Sequence, residues 1–191
     1  CNQNNFMSIP GIPIAYWVSE KTIKLLTDSE KVGDRAETKQ GCATGDNNRF
    51  LRVWHEVSMI KIGFNFAKLN AALISGKKWF PINKGGDFRR WYGNQDYVIA
   101  FDKENYEALS NMGNHLPSRQ YYFIEHIAWN MLTSSNVSFR YFPKGFVFNN
   151  AANACFTRNI DSMLGLFNSK FISYISKVMN PTLNLPNGVV N

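Results

Sequence analysis

The sequence predicts an α+β fold: a mixed, largely antiparallel sheet with flanking helices and a helical appendage at the C-terminus. Three observations favour this fold. Short runs of alternating or continuous apolar residues, separated by Gly, Asn and Ser, predict strands. Near the end of the chain, apolar residues recur at intervals of three and four, which predicts helices. The 191 residues are 45% hydrophobic and 15% aromatic, which is enough to build a substantial core.

In the first half of the chain, helix-like and strand-like segments alternate. Residues 1–13 are held extended by prolines, and residues 14–27 predict a helix with Ser19 as its N-cap. The charged stretch 28–40 is interpreted as a loop. Strands are predicted at 51–57, 78–82 and 97–101, and Asp102 is predicted to cap a helix over 103–110.

The second half predicts further strands at 124–132, 137–141, 145–148 and 154–156. Beyond them, one helical face carries Leu164, Phe167, Phe171, Tyr174 and Val178, at spacings of 3, 4, 3 and 4. Ser169 is placed to cap a second helix within this tail. Because burying such a side chain is worth about 1.5–3 kcal/mol, we expect this face to be buried within the domain. The predicted organisation is an α+β domain over 1–160 and a helical segment over 161–191 that packs on it.

Composition narrows the classes of function. A net charge of +7 and a pI near 9.4 suit a polyanionic partner. The chain has no signal-peptide pattern and no apolar run near 18 residues, which predicts a soluble, cytoplasmic protein with no membrane partner. Cys1, Cys42 and Cys155 are too far apart for a metal-binding motif, so we predict reduced thiols and no metal. A chain that begins with Cys1 rather than Met is expected to be a piece of a longer protein.

The segment 77–94 has the most distinctive chemistry in the chain. It sets five cations against one carboxylate and interleaves them with five aromatic rings around Gly85-Gly86. Phosphates bind Lys and Arg, while base edges bind the forked donors of Arg and the amide of Asn. Aromatic rings stack on nucleotides or pack a loop down. Residue chemistry alone leaves two readings open: a nucleic-acid interface, or an ordinary strand and turn with solvated cations.

A second candidate site is the segment 41–50. Asp46 or Asn47 is placed to cap a short helical turn whose amides point at an anion. The alternative is a plain turn in which Arg49 pairs with Asp46 for structural reasons. Spacing alone favours the plain turn, because Gly, Asp and Asn are turn formers.

Six segments, in order, carry a resemblance to a known family. Residues 84–94, KGGDFRRWYGN, resemble the signature of the PglX family, the adenine-specific DNA methyltransferases of bacterial BREX phage-exclusion systems. Related signatures occur in fused restriction-modification methyltransferases. Further matches lie at 9–17, 45–52, 139–146, 164–171 and 180–183. In that family this region follows the catalytic domain and belongs to target recognition.

The resemblance implies that the chain binds double-stranded DNA and positions a target adenine. An upstream catalytic domain of the same protein would methylate the adenine with S-adenosylmethionine, on a base swung out of the duplex. We expect no catalytic residue and no cofactor in this segment itself. Its one Asn-Pro, at 180–181, lacks the second proline and the stacking ring that amino-directed methyltransferases use, and no Gly-rich donor loop is present. No Asp-Glu-x-Lys spacing supports a nuclease either.

The candidate DNA-binding residues fall into three groups. Lys77, Lys78, Lys84 and Arg90 are expected to grip phosphates, and Arg89 and Asn94 to read bases. Gly85 and Gly86 shape the loop, and Trp91 and Tyr92 are expected to brace it as buried rings. Second-tier contacts, each of which has a structural ion pair as its alternative, are Arg49, Arg52 and Arg140. Asn47 is a further candidate contact.

Neighbouring positions in the central segment are expected to have different roles. The side chains of Arg89 and Arg90 diverge in either an extended or a helical backbone. One of them should therefore face DNA, while the other pairs with Asp87 or stacks on Trp91 or Tyr92.

Two other functions remain open. In the first, the chain is an assembly module whose C-terminal helical face and basic loop dock on the catalytic domain or on other defence-system subunits. An apolar face left exposed would favour this alternative. In the second, the chain is a general basic nucleic-acid binder without sequence preference.

Overall fold

The computed structural model describes residues 13, 16–132, 136–179 and 184–190. Eight strands form two four-stranded sheets in this part of the chain. In chain order they are β1 (Ala36–Lys39), β2 (Leu51–Val53), β3 (Trp79–Asn83), β4 (Tyr97–Ala100), β5 (His126–Asn130), β6 (Phe139–Phe142), β7 (Val147–Phe148) and β8 (Ala152–Thr157). Sheet 1 has the order β1-β8-β5-β6 and is antiparallel throughout. Sheet 2 has the order β2-β4-β3-β7, and only its β3–β7 pair is parallel.

Helices flank the sheets. They are α1 (Glu20–Asp28), α2 (Asn47–Phe50), α3 (Leu69–Leu73), α4 (Lys103–Asn111), α5 (Ile160–Phe167), α6 (Lys170–Met179) and α7 (Asn187–Val190). Short 3-10 turns lie at 32–34, 54–56, 59–61 and 119–121. The side chains of Ser19, Asp46 and Asp102 accept backbone N–H groups at the starts of α1, α2 and α4. Each satisfies a donor that the first helical turn leaves unpaired.

The α+β class, the mainly antiparallel pairing and the C-terminal helices are confirmed. Two details differ from the expectation. The strands form two sheets rather than one, and the charged stretch interpreted as a loop contains β1, which pairs with β8 from Ala36 opposite Thr157. Pairing with a strand more than a hundred residues away creates β1, so local composition did not reveal it. The predicted extended segment 1–13, apart from Pro13, and the Asn-Pro motif at 180–183 lie outside the described residues.

Sheet 1 is buried on both faces, and β8 shows how. Its residues Ala154 and Phe156 join the main core with sheet 2 and α4, whereas Cys155 points into a second cluster beneath α5 and α7. This alternation follows from the two-residue period of a strand. In the second cluster the rings of Phe139 and Phe167 stack with centroids 4.6 Å apart.

The expectation of one buried helical row in the tail is wrong for two of its members. Phe171 and Tyr174 are 46% and 40% exposed, whereas Phe167 and Val178 are each 2% exposed. The physical reason is the break between α5 and α6 at Asn168, which interrupts the helical face. The Asn168 side chain bonds both backbone groups of Phe139 in β6, accepting at 3.1 Å and donating at 2.9 Å.

We predict that the two phenylalanines of this tail respond very differently to truncation. Phe167→Ala should lower the free energy of unfolding by about 3–5 kcal/mol, because it removes a buried ring. Phe171→Ala should change it by about 0.5 kcal/mol or less, as is usual for a surface position. Urea unfolding of both variants is the measurement. Equal losses would contradict the assignment of the two side chains to core and surface.

A second prediction concerns stability at acidic pH. His126 is buried, stacks on Phe142 at 5.3 Å and donates from Nδ1 to the carbonyl of Ile124 at 2.8 Å. Burial lowers the pKa of His126 from 6.5 to about 4, so the unfolded chain takes up a proton at a higher pH than the folded one. Stability is therefore full above about pH 6.5 and falls as the pH drops toward 4.

Between pH 7 and pH 5, protonation of this single group should lower the free energy of unfolding by about 2 kcal/mol. Urea unfolding at the two pH values measures it, and His126→Phe should remove most of the difference. The matched control is His55→Phe, because His55 is exposed. If the pH dependence survives in His126→Phe, the acid sensitivity has another source.

Candidate nucleic-acid interface

Residues 84–96, here called the bridging loop, connect β3 to β4 but do not stay with sheet 2. At its start, the Gly85 N–H donates to the Asn83 side chain at 3.2 Å, and the Gly86 carbonyl accepts from the Asn130 side chain at the end of β5. The loop next reaches β6, one of the two edge strands of sheet 1. It returns beside β2, where the Trp54 N–H donates to the Asp96 carbonyl at 2.9 Å. One loop is therefore fastened to both sheets.

Glycines make this path possible. Gly86 has φ +130°, in the left-handed region that residues with a Cβ rarely adopt. Gly93 has φ +123°, and a Cβ there would lie 2.8 Å from Cδ of Arg89. The sequence-based expectation that the Gly-Gly pair permits unusual backbone geometry is confirmed.

Arg140 of β6 supports the loop from below. Its side chain is 0% exposed. It donates to the Arg89 carbonyl at 3.3 Å, to Ser138 Oγ at 3.2 Å and to Asn130 Oδ1 at 2.6 Å. Burial lowers the pKa of Arg140 to about 10, so it remains charged at neutral pH. Arg140, expected as a second-tier surface contact, therefore lies beneath the surface, and none of these three partners is a carboxylate.

Trp91 fastens the loop to the edge of β6 through its backbone. Its N–H donates to the Phe139 carbonyl at 2.9 Å, and its carbonyl accepts from the Tyr141 N–H at 2.8 Å. The expectation that Trp91 and Tyr92 are buried braces is wrong, because their side chains are 52% and 61% exposed. Backbone hydrogen bonds provide the bracing and leave the rings at the surface.

The two adjacent arginines diverge as expected. Arg89 is exposed, whereas Arg90 is half-buried with its guanidinium 5.5 Å from the centre of the Phe88 ring. The stacking partner is thus Phe88 rather than Trp91 or Tyr92. Lys84 is half-buried, with Nζ 4.2 Å from the centre of the Tyr97 ring. Within the described residues, the salt bridges lie near the start of β1 and none involves a cation of the bridging loop.

Asn94, expected to read bases, is only 6% exposed. Its Nδ2 donates to the Asp87 carbonyl at 2.8 Å, across the neck of the loop. Asn94 has φ +57°, a conformation that Asn tolerates better than most residues. Its position and hydrogen bond suit closing the loop better than contacting a ligand.

Lys84 lies where two concave surfaces meet, and we call their union the amide groove. The first, about 400 Å³, is lined by Ala43, Thr44, Gly45, Asn47, Lys84, Asn149, Asn150 and Ala151. The second, about 350 Å³, shares three of these residues and adds Gly86, Asn130, Met131, Leu132 and Asn184. No lining residue is acidic. The groove brings together the two motifs that the sequence singled out separately.

Sequence reasoning missed several of the groove's side chains, chiefly Asn130, Asn149 and Asn150. The Asn149-Asn150 pair carried one signal, since two amides follow a strand-like run, but that pattern indicates only a turn. Its proximity to Asn47 arises because Cys42 pairs with Asn149 in a parallel bridge. Only the folded chain reveals that contact.

Other predicted residues lie elsewhere. The five residues of β3 separate Lys78 from Lys84 by roughly 20 Å, at about 3.3 Å per residue. At that far end Arg52 and Lys78 flank the Trp79 ring at 5.9 and 5.8 Å, and Lys77 donates to the Ile60 carbonyl at 2.6 Å. The cationic stretch 77–94 is thus split into two surfaces.

Arg49 lies in α2 and is exposed, with its guanidinium 4.8 Å from the centre of the Phe50 ring. The capping role proposed for Asp46 is confirmed, because its carboxylate accepts the Arg49 N–H at 3.0 Å. The alternative ion pair between the two side chains is not formed.

The described residues offer little support for other chemistry. None of their His, Cys, Asp and Glu side chains come together in a group of three or more that suits a metal ion. Cys42 and Cys155 are buried and free. Burial raises the pKa of both thiols to about 12, so neither is a nucleophile at neutral pH. No helix in this part of the chain has the length and apolarity needed to cross a bilayer.

The position of Arg140 leads to a prediction about the loop. Arg140→Met removes the hydrogen bonds that Arg140 donates to Arg89, Ser138 and Asn130, so these oxygens lose a donor. The free energy of unfolding should fall by about 1–3 kcal/mol. Each kcal/mol corresponds to a Tm decrease of roughly 2–4 °C in a chain of this size. Trypsin should also cut after Arg89 or Arg90 several-fold faster, because the loop is released.

The matched control is Arg158→Met, which removes the same charge from an exposed position. It should change neither the Tm nor the rate of cutting in the loop. If the two variants behave alike in both measurements, Arg140 does not hold the loop in place.

Comparison with known proteins gives two matches that each extend over nearly the whole chain. No family model matches it. It is 37% identical over 193 aligned positions to the adenine-specific methyltransferase BrxX of Escherichia coli O9:H4 (strain HS), and 36% identical over 201 positions to the adenine-specific methyltransferase PglX of Lacticaseibacillus casei (strain Zhang). Each alignment covers 98% of this chain but only 15% and 16% of the respective relative. The chain is therefore homologous, over nearly its whole length, to one segment of the PglX and BrxX adenine-specific methyltransferases.

Proposed function

We propose that this segment recognises the DNA target of an adenine-specific methyltransferase of a BREX-like or restriction-modification system. It would bind duplex DNA through the bridging loop and the amide groove. A catalytic domain elsewhere in the same protein, using S-adenosylmethionine, would methylate the adenine. The observation that carries the proposal is a fixed loop of cations without carboxylate partners, beside a groove without acidic residues.

Electrostatics favours an anionic ligand at this surface. Phosphate contacts supply much of the affinity of proteins for DNA and need accessible Lys or Arg side chains. Arg89 is exposed and Lys84 lies at the junction of the groove. Beneath them, the buried Arg140 adds a charge that none of its hydrogen-bond partners neutralises. A polyanion would compensate these charges, because no carboxylate of the described residues forms a salt bridge with them.

The division between gripping and reading follows from which groups are accessible. Arg89 has an exposed guanidinium, the group that bonds the O6 and N7 of guanine in the major groove. Lys84 is a point charge suited to a phosphate. Because Asn94 is buried and bonded within the loop, amide contacts to bases fall instead to Asn150 and to the NH2 group of Asn47, whose Oδ1 accepts from Thr44.

A second function, assembly, is favoured by one observation. Phe171 and Tyr174 lie three residues apart on α6 and are both exposed, which places two aromatic rings on one helical surface. Such a pair suits docking on the catalytic domain or on another defence component. The helix packs on α5.

We predict salt-dependent duplex binding by this chain. With about three phosphates engaged, the slope of log K against log salt concentration should be near −2.7, at roughly −0.9 per contact. Lys84→Ala should weaken all sequences alike and reduce the magnitude of the slope by about 0.9. Arg89→Ala should instead weaken the free energy of binding to the preferred site by about 1–3 kcal/mol and relax selectivity at one base pair. Fluorescence anisotropy with a panel of single-substitution duplexes measures both effects.

Lys103→Ala is the matched control, since it removes an exposed cation from the first turn of α4. It should leave the slope and the sequence preference unchanged. A slope near zero for the unaltered chain would rule out the electrostatic basis of the proposal. Equal behaviour of Lys84→Ala and Lys103→Ala would place the DNA on another surface.

A further inference from the structure

We propose that the indole of Trp91 is a stacking platform for an unstacked nucleobase, inserted where the duplex opens. This inference rests on the proposed function, because it assigns a ligand to one side chain of the same surface. The class of ligand is the π-face of a base exposed at a gap, a mismatch or a flipped-out nucleotide. The site consists of the Trp91 ring, carried by the bridging loop where it meets β6.

The first support is the contrast between the backbone and the side chain of Trp91. Two hydrogen bonds, at 2.9 and 2.8 Å, hold its backbone on the edge of β6. Its side chain nevertheless remains 52% exposed. Within the described residues its indole makes no hydrogen bond, ring contact or cation–π contact. The backbone of Trp91 is thus held in place, while its large flat indole has no partner among the described residues.

The second support is the backbone conformation at this position. Trp91 has φ +72°, and the Tyr92 N–H donates to the Arg90 carbonyl at 2.8 Å across it. A hydrogen bond between residues i and i+2 around a positive φ is the rare and strained form of the γ-turn. A bulky residue in such a turn is a true conformational outlier, and strain of this kind clusters at ligand sites. Glycine would adopt this turn without strain, whereas Trp adds a large ring to it.

The neighbouring aromatic rings are already engaged, which distinguishes Trp91 from them. The Phe88 ring lies under the guanidinium of Arg90. The Tyr92 hydroxyl donates to Gln95 Oε1 at 2.9 Å. Among the three exposed rings of the bridging loop, the indole is the free one, and it is also the largest.

The chemistry of the surroundings favours a base over an apolar protein surface. Arg89 precedes Trp91 by two residues and is exposed, so phosphates beside an inserted ring would meet a cation. Aromatic side chains bind unstacked bases whatever their identity, because every base has a π-face. The cost of opening the duplex is smallest where a base is mismatched or missing.

The test compares an intact duplex with the same duplex carrying an abasic site, using fluorescence anisotropy at one salt concentration. The unaltered chain should bind the abasic-site duplex about tenfold more tightly, within the range that stacking on one ring supplies. Trp91→Gly should abolish this preference with an unchanged salt slope, and Trp91→Phe should retain part of it. Because Gly suits a positive φ, Trp91→Gly should keep its melting temperature. Trp54→Ala, at another exposed tryptophan, is the matched control and should keep the full preference.

A second measurement does not depend on the glycine variant. Subtracting the fluorescence of Trp91→Phe from that of the unaltered chain gives the emission of Trp91. Stacking on a base should quench this emission when the abasic-site duplex is added. Unquenched emission, or a preference that survives in Trp91→Gly, would overturn the inference. Salt-dependent duplex binding with no preference for the abasic site would overturn it while leaving the proposed function standing. If the chain binds no duplex at all, both fail together.

Discussion

The arrangement of the candidate site depends on one buried cation. Arg140 links the Arg89 carbonyl in the bridging loop to Asn130 and Ser138 on sheet 1. Asn130 in turn donates to Gly86, so two side chains of neighbouring strands hold two separate points of the loop. A buried charge costs free energy unless it is well hydrogen-bonded. Here three hydrogen bonds offset part of that cost, and they fix the position of a segment that would otherwise be a long connection between two strands of sheet 2.

Local patterns predicted most of the fold. The caps at Ser19 and Asp102 have the side-chain chemistry that starts a helix, and both start one. Most strand segments were also found, because their apolar runs are short and bounded by turn residues. The split into two sheets was not predictable in this way. It depends on pairings such as that of β1 with β8, whose partners are far apart in sequence.

The same distinction between local pattern and tertiary contact applies to the candidate site. The sequence identified the glycines, the exposed Arg89 and the meeting of cations with aromatic rings, since these are properties of one segment. It did not indicate that Arg140 is buried, that Asn94 closes the loop, or that Trp91 turns its ring outward. Each of these depends on β6 lying beside the loop, which is a tertiary contact. For Phe171, the sequence indicated both a helical face and a second helix starting near Ser169, but not that the break leaves the ring at the surface.

The attachment of the bridging loop to β6 also has a kinetic consequence. The hydrogen bond between Arg140 and Arg89 spans 51 positions of the chain, and contacts of long sequence separation are slow to form because loop closure must precede them. The loop can take its final shape only after sheet 1 has assembled and its edge strand is in place. A nascent or partly folded chain therefore has its cations but not their arrangement. The arrangement of cations on the bridging loop is therefore among the later features of the chain to form, after β6 has joined sheet 1.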